Sequence, residues 1–275
     1  MKTLMDVQEL QERMTSGRQT ILLDVRWSLG DPHGHEHYRA AHIPGAVYVD
    51  METQLCSPGG PGLGRHPLPT AEALQEAARQ WGLNDGDVVV AYDDSGNLAA
   101  ARLWWLLRDA GVPSVSLLDG GLTAWRAAGF DVEGGEERHC VGSVHLTPGH
   151  MPVVSVPDVL DGSAVDVLLD ARAGERFRGE QEPVDPQAGH IPGAVSAPTA
   201  DNLAADRRFR TADELRRRFG ALGADRGRVA VYCGSGITAA HEIAALDIAG
   251  IDASLFPGSW SQWSTTPGLP VVTGA

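Results

Sequence analysis

The chain has 275 residues with 22 Lys and Arg against 36 Asp and Glu, a formal net charge of −14. That balance argues against a surface that tracks nucleic-acid phosphates, and 43% hydrophobic residues exclude global disorder. Three cysteines are too few for a disulfide scaffold and suit a reducing compartment. No apolar run approaches the roughly 18 residues of a membrane span. The N-terminus MKTLMDVQELQERM is amphipathic and charged, without a signal-peptide h-region, so a cytoplasmic protein is expected.

In chain order, ILLDV (21–25), VVVAY (88–92) and VSLL (115–118) read as short buried strands. AEALQEAARQWGL (71–83) and LAAARLWWLLRDAG (98–111) between them have helical periodicity and a glycine at or near the end. The pattern then recurs: VLLD (167–170), VAVY (229–232) and ASLF (253–256) are strands, and ADELRRRFGALG (212–223) is a helix. Alternation of this kind predicts an α/β fold, a mostly parallel sheet with helices on both faces, in each half.

The halves are copies of one another. ILLDVR matches VLLDAR, AAHIPGAV (40–47) matches AGHIPGAV (188–195), and SLLDGGLTAW matches SLFPGSWSQW. The offsets are 146 for Asp24 and Asp170, 148 for His42 and His190, 140 for Asp93 and Cys233, and 138 for Trp125 and Trp263. A repeat this long is domain-sized and not a solenoid unit. The expected division is a first domain over 1–132, a linker over 133–152 and a second domain over 153–275. The linker stretch has Gly, Pro and charge but little periodicity.

In open parallel sheets, ligands bind where strands pass into helices. At that place in the second copy stands Cys233-Gly234-Ser235-Gly236-Ile237-Thr238, between VAVY and the helix AAHEIAAL. The glycines let successive N–H groups converge, and the helix start adds partial positive charge. Both stabilise negative charge on the sulfur, which makes Cys233 a candidate nucleophile. A free cysteine is more often buried and inert, and that reading holds for Cys56 and Cys140, which lack the setting. The first copy has Asp93 at the cysteine position, so one copy is expected to be catalytic and the other a degenerate partner.

These residues resemble the tandem rhodanese family of sulfurtransferases. The resemblance rests on two copies, HIPGA in each, the LLDxR strands and one cysteine loop in the second copy, and it covers nearly the whole chain. It implies two tandem rhodanese-like domains, with substrate in the cleft between them. Cys233 would accept a sulfane sulfur from a small anionic donor as a persulfide. A thiol, cyanide or a thioredoxin-like acceptor would then take it, with no cofactor, metal, nucleic acid or membrane involved. CGSGIT resembles the CGSGVT loop of 3-mercaptopyruvate sulfurtransferases, whereas thiosulfate enzymes of the family place cations in it, as in CRKGVT. Mercaptopyruvate is therefore the favoured donor and thiosulfate the alternative. A non-catalytic rhodanese-type binding module is the reading from a different class.

By motif, the resemblance makes Arg176 of Asp170-Ala171-Arg172-Ala173-Gly174-Glu175-Arg176-Phe177 the substrate-anion ligand, with Gly234, Gly236, Ile237 and Thr238 of the loop around the donor. Arg172 is expected to pair with Asp170. The second arginine of the mercaptopyruvate enzymes, in EPEPR, is missing from Glu182-Pro183-Val184-Asp185, and Arg178 or Arg65 could replace it. The same enzymes use a Ser–His–Asp relay, for which Ser235, His42 and Asp31 match; His42 is equally a motif histidine that ties down a turn, since His190 repeats it. Thr238 reads as a loop-stabilising cap. Ala239 stands where a cysteine phosphatase of pattern C-x5-R has its arginine, which leaves a phosphoryl transition state without a clamp. His33, His35 and His37 could suggest a metal site, but DPHGHEHY reads as a solvated loop.

Overall fold

A computed structural model describes residues 2–60 and 62–275. The chain forms two compact units, one of Met1–Ser57, Pro69–Met151 and Ala205–Phe209, the other of Pro58–Leu68, Pro152–Ala204 and Arg210–Ala275. Two segments depart from the contiguous division expected from sequence. The loop before the Thr70-capped helix is counted with the second unit, and part of the loop before the Thr211-capped helix with the first. Residues 133–151 are laid along the first unit. Val144 N–H donates to Leu83 O (3.1 Å), Thr147 N–H to Ala110 O (2.9 Å) and Glu133 N–H to His42 O (3.0 Å).

The first unit has strands β1 (Leu4–Met5), β2 (Ile21–Asp24), β3 (Val47–Tyr48), β4 (Val89–Tyr92) and β5 (Val115–Leu118), in the order β1-β5-β4-β2-β3. The second has β6 (Val167–Asp170), β7 (Val195–Ser196), β8 (Val229–Tyr232) and β9 (Ala253–Leu255), in the order β7-β6-β8-β9. Every pairing between these strands is parallel. Parallel strands need crossovers, which the helices supply; sheets covered this way are buried, hence the unbroken apolar runs.

The duplication is exact in register. Asp24 pairs with Tyr92 and Leu23 with Val47, as Asp170 pairs with Tyr232 and Leu169 with Val195. Each strand-end aspartate takes the arginine two residues on. Arg26 Nη2 lies 2.7 Å from Asp24 Oδ2, and Arg172 Nη2 lies 2.6 Å from Asp170 Oδ2. Burial pushes the Asp24 carboxyl up to about 6, against the pull of Arg26. One core gathers Leu22, Val90, Tyr92 and Trp125, and its counterpart gathers Leu168, Ala230, Tyr232 and Trp263. Asp93 and Cys233 therefore leave equivalent strand ends.

Candidate active site

Cys233 follows the last residue of β8 and is 2% exposed. Its N–H donates to Ser259 Oγ (3.1 Å), and its carbonyl accepts Trp260 N–H (3.0 Å), so the backbone is tied on both sides to the start of helix Ser259–Trp263. Gly236 donates its N–H to Cys233 Sγ at 3.1 Å. Gly236 has φ +82° and directly precedes helix Ile237–Ala249. An L-residue there is strained, which explains the glycine. Sulfur thus meets an N–H donor at the positive end of a helix, a setting that favours negative charge.

The first copy shows what this loop geometry does with a fixed anion. Asp93 is fully buried, and its Oδ1 accepts the N–H groups of Ser95 (2.8 Å) and Asn97 (2.7 Å). Its Oδ2 accepts those of Ala99 (2.8 Å) and Ala100 (3.1 Å). Burial raises its pKa while the four N–H groups oppose the rise. The first loop is an anion nest filled by its own side chain.

Two guanidinium groups stand over the cysteine loop. A methyl group built on Gly234 would lie 3.2 Å from Arg65 Nη2 and 3.5 Å from Arg176 Nη1. Cations thus reach the loop from outside it, in space that a side chain at 234 would take. Arg176 Nη2 pairs with Glu182 Oε1 (2.6 Å) and Asp185 Oδ2 (3.2 Å), and Arg65 Nη1 pairs with Asp185 Oδ1. Burial works against ionisation of Glu182, yet the Arg176 hydrogen bond and the N–H groups of Val184 and Asp185 hold it below the usual range. Of the two candidates to replace the missing arginine, Arg65 is at the loop. Arg178 instead pairs with Glu180 at 2.8 Å near the surface.

Ser235 Oγ lies 2.7 Å from His66 Nδ1, with both residues 7% exposed. No local pattern marks His66, which sits in the Gly- and Pro-rich run 58–68 without periodicity. His42 and Asp31, expected as a pair in the relay, are not hydrogen-bonded to each other within the first unit. His42 is fully buried in the first unit, with Nδ1 on Tyr38 O (2.9 Å) and its ring stacked on Tyr38. Asp31 pairs with His37 Nε2 (3.0 Å) and accepts His33 N–H (2.9 Å). His190 repeats the arrangement of His42, with Nδ1 on Phe177 O (2.7 Å). The motif histidine ties its turn to the preceding helix in both copies.

Thr238 is not the cap: Gly236 holds the N-cap position, with no side-chain hydrogen bond. Residues 34–40 form a helix where a loop was expected. The histidines of the helix and its N-cap face separate carboxylates: His33 meets Glu36 (3.2 Å), His35 meets Glu136 (2.8 Å) and His37 meets Asp31. Among the described residues, His42, Glu133 and Glu137 alone bring three metal-ligating atoms within 4.8 Å, and Glu133 there already accepts Gly45 N–H (2.6 Å). Burial pushes the Cys56 thiol up to about 11, which suits an inert core residue, and Cys140 is exposed.

The rhodanese-like domain model matches residues 6–128 and again 155–266. A Mycobacterium tuberculosis protein named as a thiosulfate sulfurtransferase, SseB, is 44% identical over 99% of this chain and 98% of its own. A Pseudomonas aeruginosa protein named as a 3-mercaptopyruvate sulfurtransferase is also 44% identical, over 98% of both. The crystal structure of SseA from Escherichia coli superposes with a TM-score of 0.84 at 31% identity, covering 95% of this chain and 100% of that one. Register, duplicated strand ends and these full-length likenesses agree: the chain belongs to the rhodanese family, with two rhodanese-like domains in tandem.

Proposed function

We propose that the protein is a sulfurtransferase that carries a sulfane sulfur on Cys233 from a small anionic donor, with 3-mercaptopyruvate favoured over thiosulfate. The observation that carries this reading is the Cys233 sulfur itself. It meets Gly236 N–H at 3.1 Å, at a strand end beside a loop over which Arg65 and Arg176 stand.

The chemistry follows from those parts. The Cys233 thiolate attacks the donor sulfur, an S–S bond forms, and the C–S bond electrons leave with the pyruvate fragment as an enolate. The enolate takes a proton and becomes pyruvate. Ser235, hydrogen-bonded to His66, is the hydroxyl next to Cys233 that can supply it, and His66 can restore it. Arg176 and Arg65 hold the donor carboxylate by charge-assisted contacts. A thiol, cyanide or a thioredoxin-like acceptor then attacks the outer sulfur and returns the thiolate. The loop carries no cation of its own, which favours the donor with less charge at its sulfur end over thiosulfate.

The test is the mass of the intact protein after incubation with each donor. Wild type gains one sulfur and loses it to cyanide, while Cys233→Ser gains none and unfolds at a similar temperature. A folded wild type that never gains the sulfur would falsify the reading and leave the non-catalytic binding module. Side-by-side kcat/KM then ranks the donors.

A further inference from the structure

The charge around the cysteine loop is balanced from within. The Asp185 side chain is 2% exposed and lies between the two guanidinium groups, with Oδ1 on Arg65 and Oδ2 3.2 Å from Arg176. Glu182 takes the rest of Arg176 (2.6 Å) and touches Arg172 (3.4 Å), which is already paired with Asp170. Arg65, Arg172 and Arg176 thus face Asp170, Glu182 and Asp185, three charges of each sign. An anion approaching Gly234 meets two arginines whose charge is already shared with carboxylates. Among the described residues, Asp185 is the one carboxylate that pairs with both.

Resting on the sulfurtransferase reading, we propose that Asp185 determines donor specificity, as an internal counter-anion seated between Arg65 and Arg176. It discriminates against dianionic donors and admits those with one carboxylate and a neutral or weakly charged sulfur end. Each negative charge on a bound donor is repelled by Asp185, so a compact dianion such as thiosulfate loses more than a monoanion does. Burial raises the Asp185 pKa, and Arg65 and Arg176 pull it back. The carboxylate is therefore held by its two partners and not by solvent. Asp185 does not touch the reacting sulfur; it acts through the arginines, as a positioning residue.

The test is Asp185→Asn in the full chain, which keeps the shape and removes the charge. The expected result is at least a tenfold rise in kcat/KM for thiosulfate relative to mercaptopyruvate, carried by KM. Sulfate, a dianion that donates no sulfur, should inhibit the variant at least tenfold more strongly, and pyruvate should gain less. If Asp185 only holds Arg65 in place, both donors weaken together. That result, or an unchanged ratio, overturns the proposal. Arg65→Gln is the second variant, decisive if Asp185→Asn does not fold. It leaves Asp185 with one partner and should cost thiosulfate at least tenfold more than mercaptopyruvate; equal losses overturn the proposal. Failure of the underlying function is distinct, because wild type would then form no Cys233 persulfide from either donor.

Discussion

Replacing Ser235 by Ala removes the hydroxyl that lies 2.7 Å from His66 Nδ1, in a pair only 7% exposed at either residue. The stability cost is that of one lost buried hydrogen bond, about 1 kcal/mol. The kinetic cost is larger and depends on the donor. A departing pyruvate enolate needs a proton, and a positioned acid is worth roughly 100-fold or more, about 3 kcal/mol of barrier. Thiosulfate releases sulfite, a stable anion that needs none. Steady-state assays with cyanide as acceptor should therefore show kcat for mercaptopyruvate down about 100-fold, and for thiosulfate down less than about threefold. His66→Gln should reproduce the donor asymmetry. The double variant should be no worse than the weaker single one, because residues that act as a unit are not additive. Equal losses for both donors, or a double variant whose loss is the product of the two, would show that the pair only shapes the loop.

Gly236→Ala forces a side chain into a backbone with φ +82° and pulls the N–H away from Cys233 Sγ. A stability loss of about 1 to 2 kcal/mol is expected, with single-turnover persulfide formation slowed about tenfold through the lost hydrogen bond; wild-type rates in a strained protein would remove the N–H from the mechanism. Asp93→Asn turns an NH2 group toward two of the four N–H donors of the first loop, so urea unfolding should show a loss of about 2 to 4 kcal/mol, and an unchanged midpoint would mean the nest contributes nothing. Arg228 holds the exposed Asp166 carboxyl at about 2, below its ordinary 3.8. A lowered folded pKa contributes stability above the unfolded value and loses it as pH falls through the folded one. The Tm gap between wild type and Asp166→Asn should hold at neutral pH, shrink from about pH 4 and close near pH 2; a gap that persists below pH 2 refutes the linkage.

Much of the molecule is legible in its residues because the relevant signals are local. Strand and helix periods, the glycines of the cysteine loop and the doubled HIPGA turn are short-range patterns, and duplication gives each an internal control. Asp93 opposite Cys233 is the clearest case, since parallel register alone places both after equivalent tyrosines. Arg176, four residues after the strand-end Arg172, is singled out only by the resemblance of its motif to the family. The relay rests on the same resemblance. Asp31 and His42 have the right spacing, but spacing does not say where a ring points, and His42 turns to the carbonyl four residues back.

The residues that complete the site lie in a segment whose course no local pattern records. Residues 58–68 have too much Gly and Pro for periodicity. Their path is set by long-range hydrogen bonds: Arg65 N–H to Ser261 Oγ across 196 positions, and Gln262 Nε2 to Gly62 O across 200. Those contacts bring His66 to Ser235 and Arg65 to Asp185. The net charge of −14 excludes a nucleic-acid surface but says nothing of a local balance in which three arginines meet three carboxylates. By itself the sequence determined the duplicated α/β fold and the copy that has a cysteine at the strand end, because these follow from hydrogen bonding and burial within a few residues. Only the tertiary structure decided which histidine serves Ser235 and which carboxylate stands between the arginines, because those pairings depend on how distant loops close.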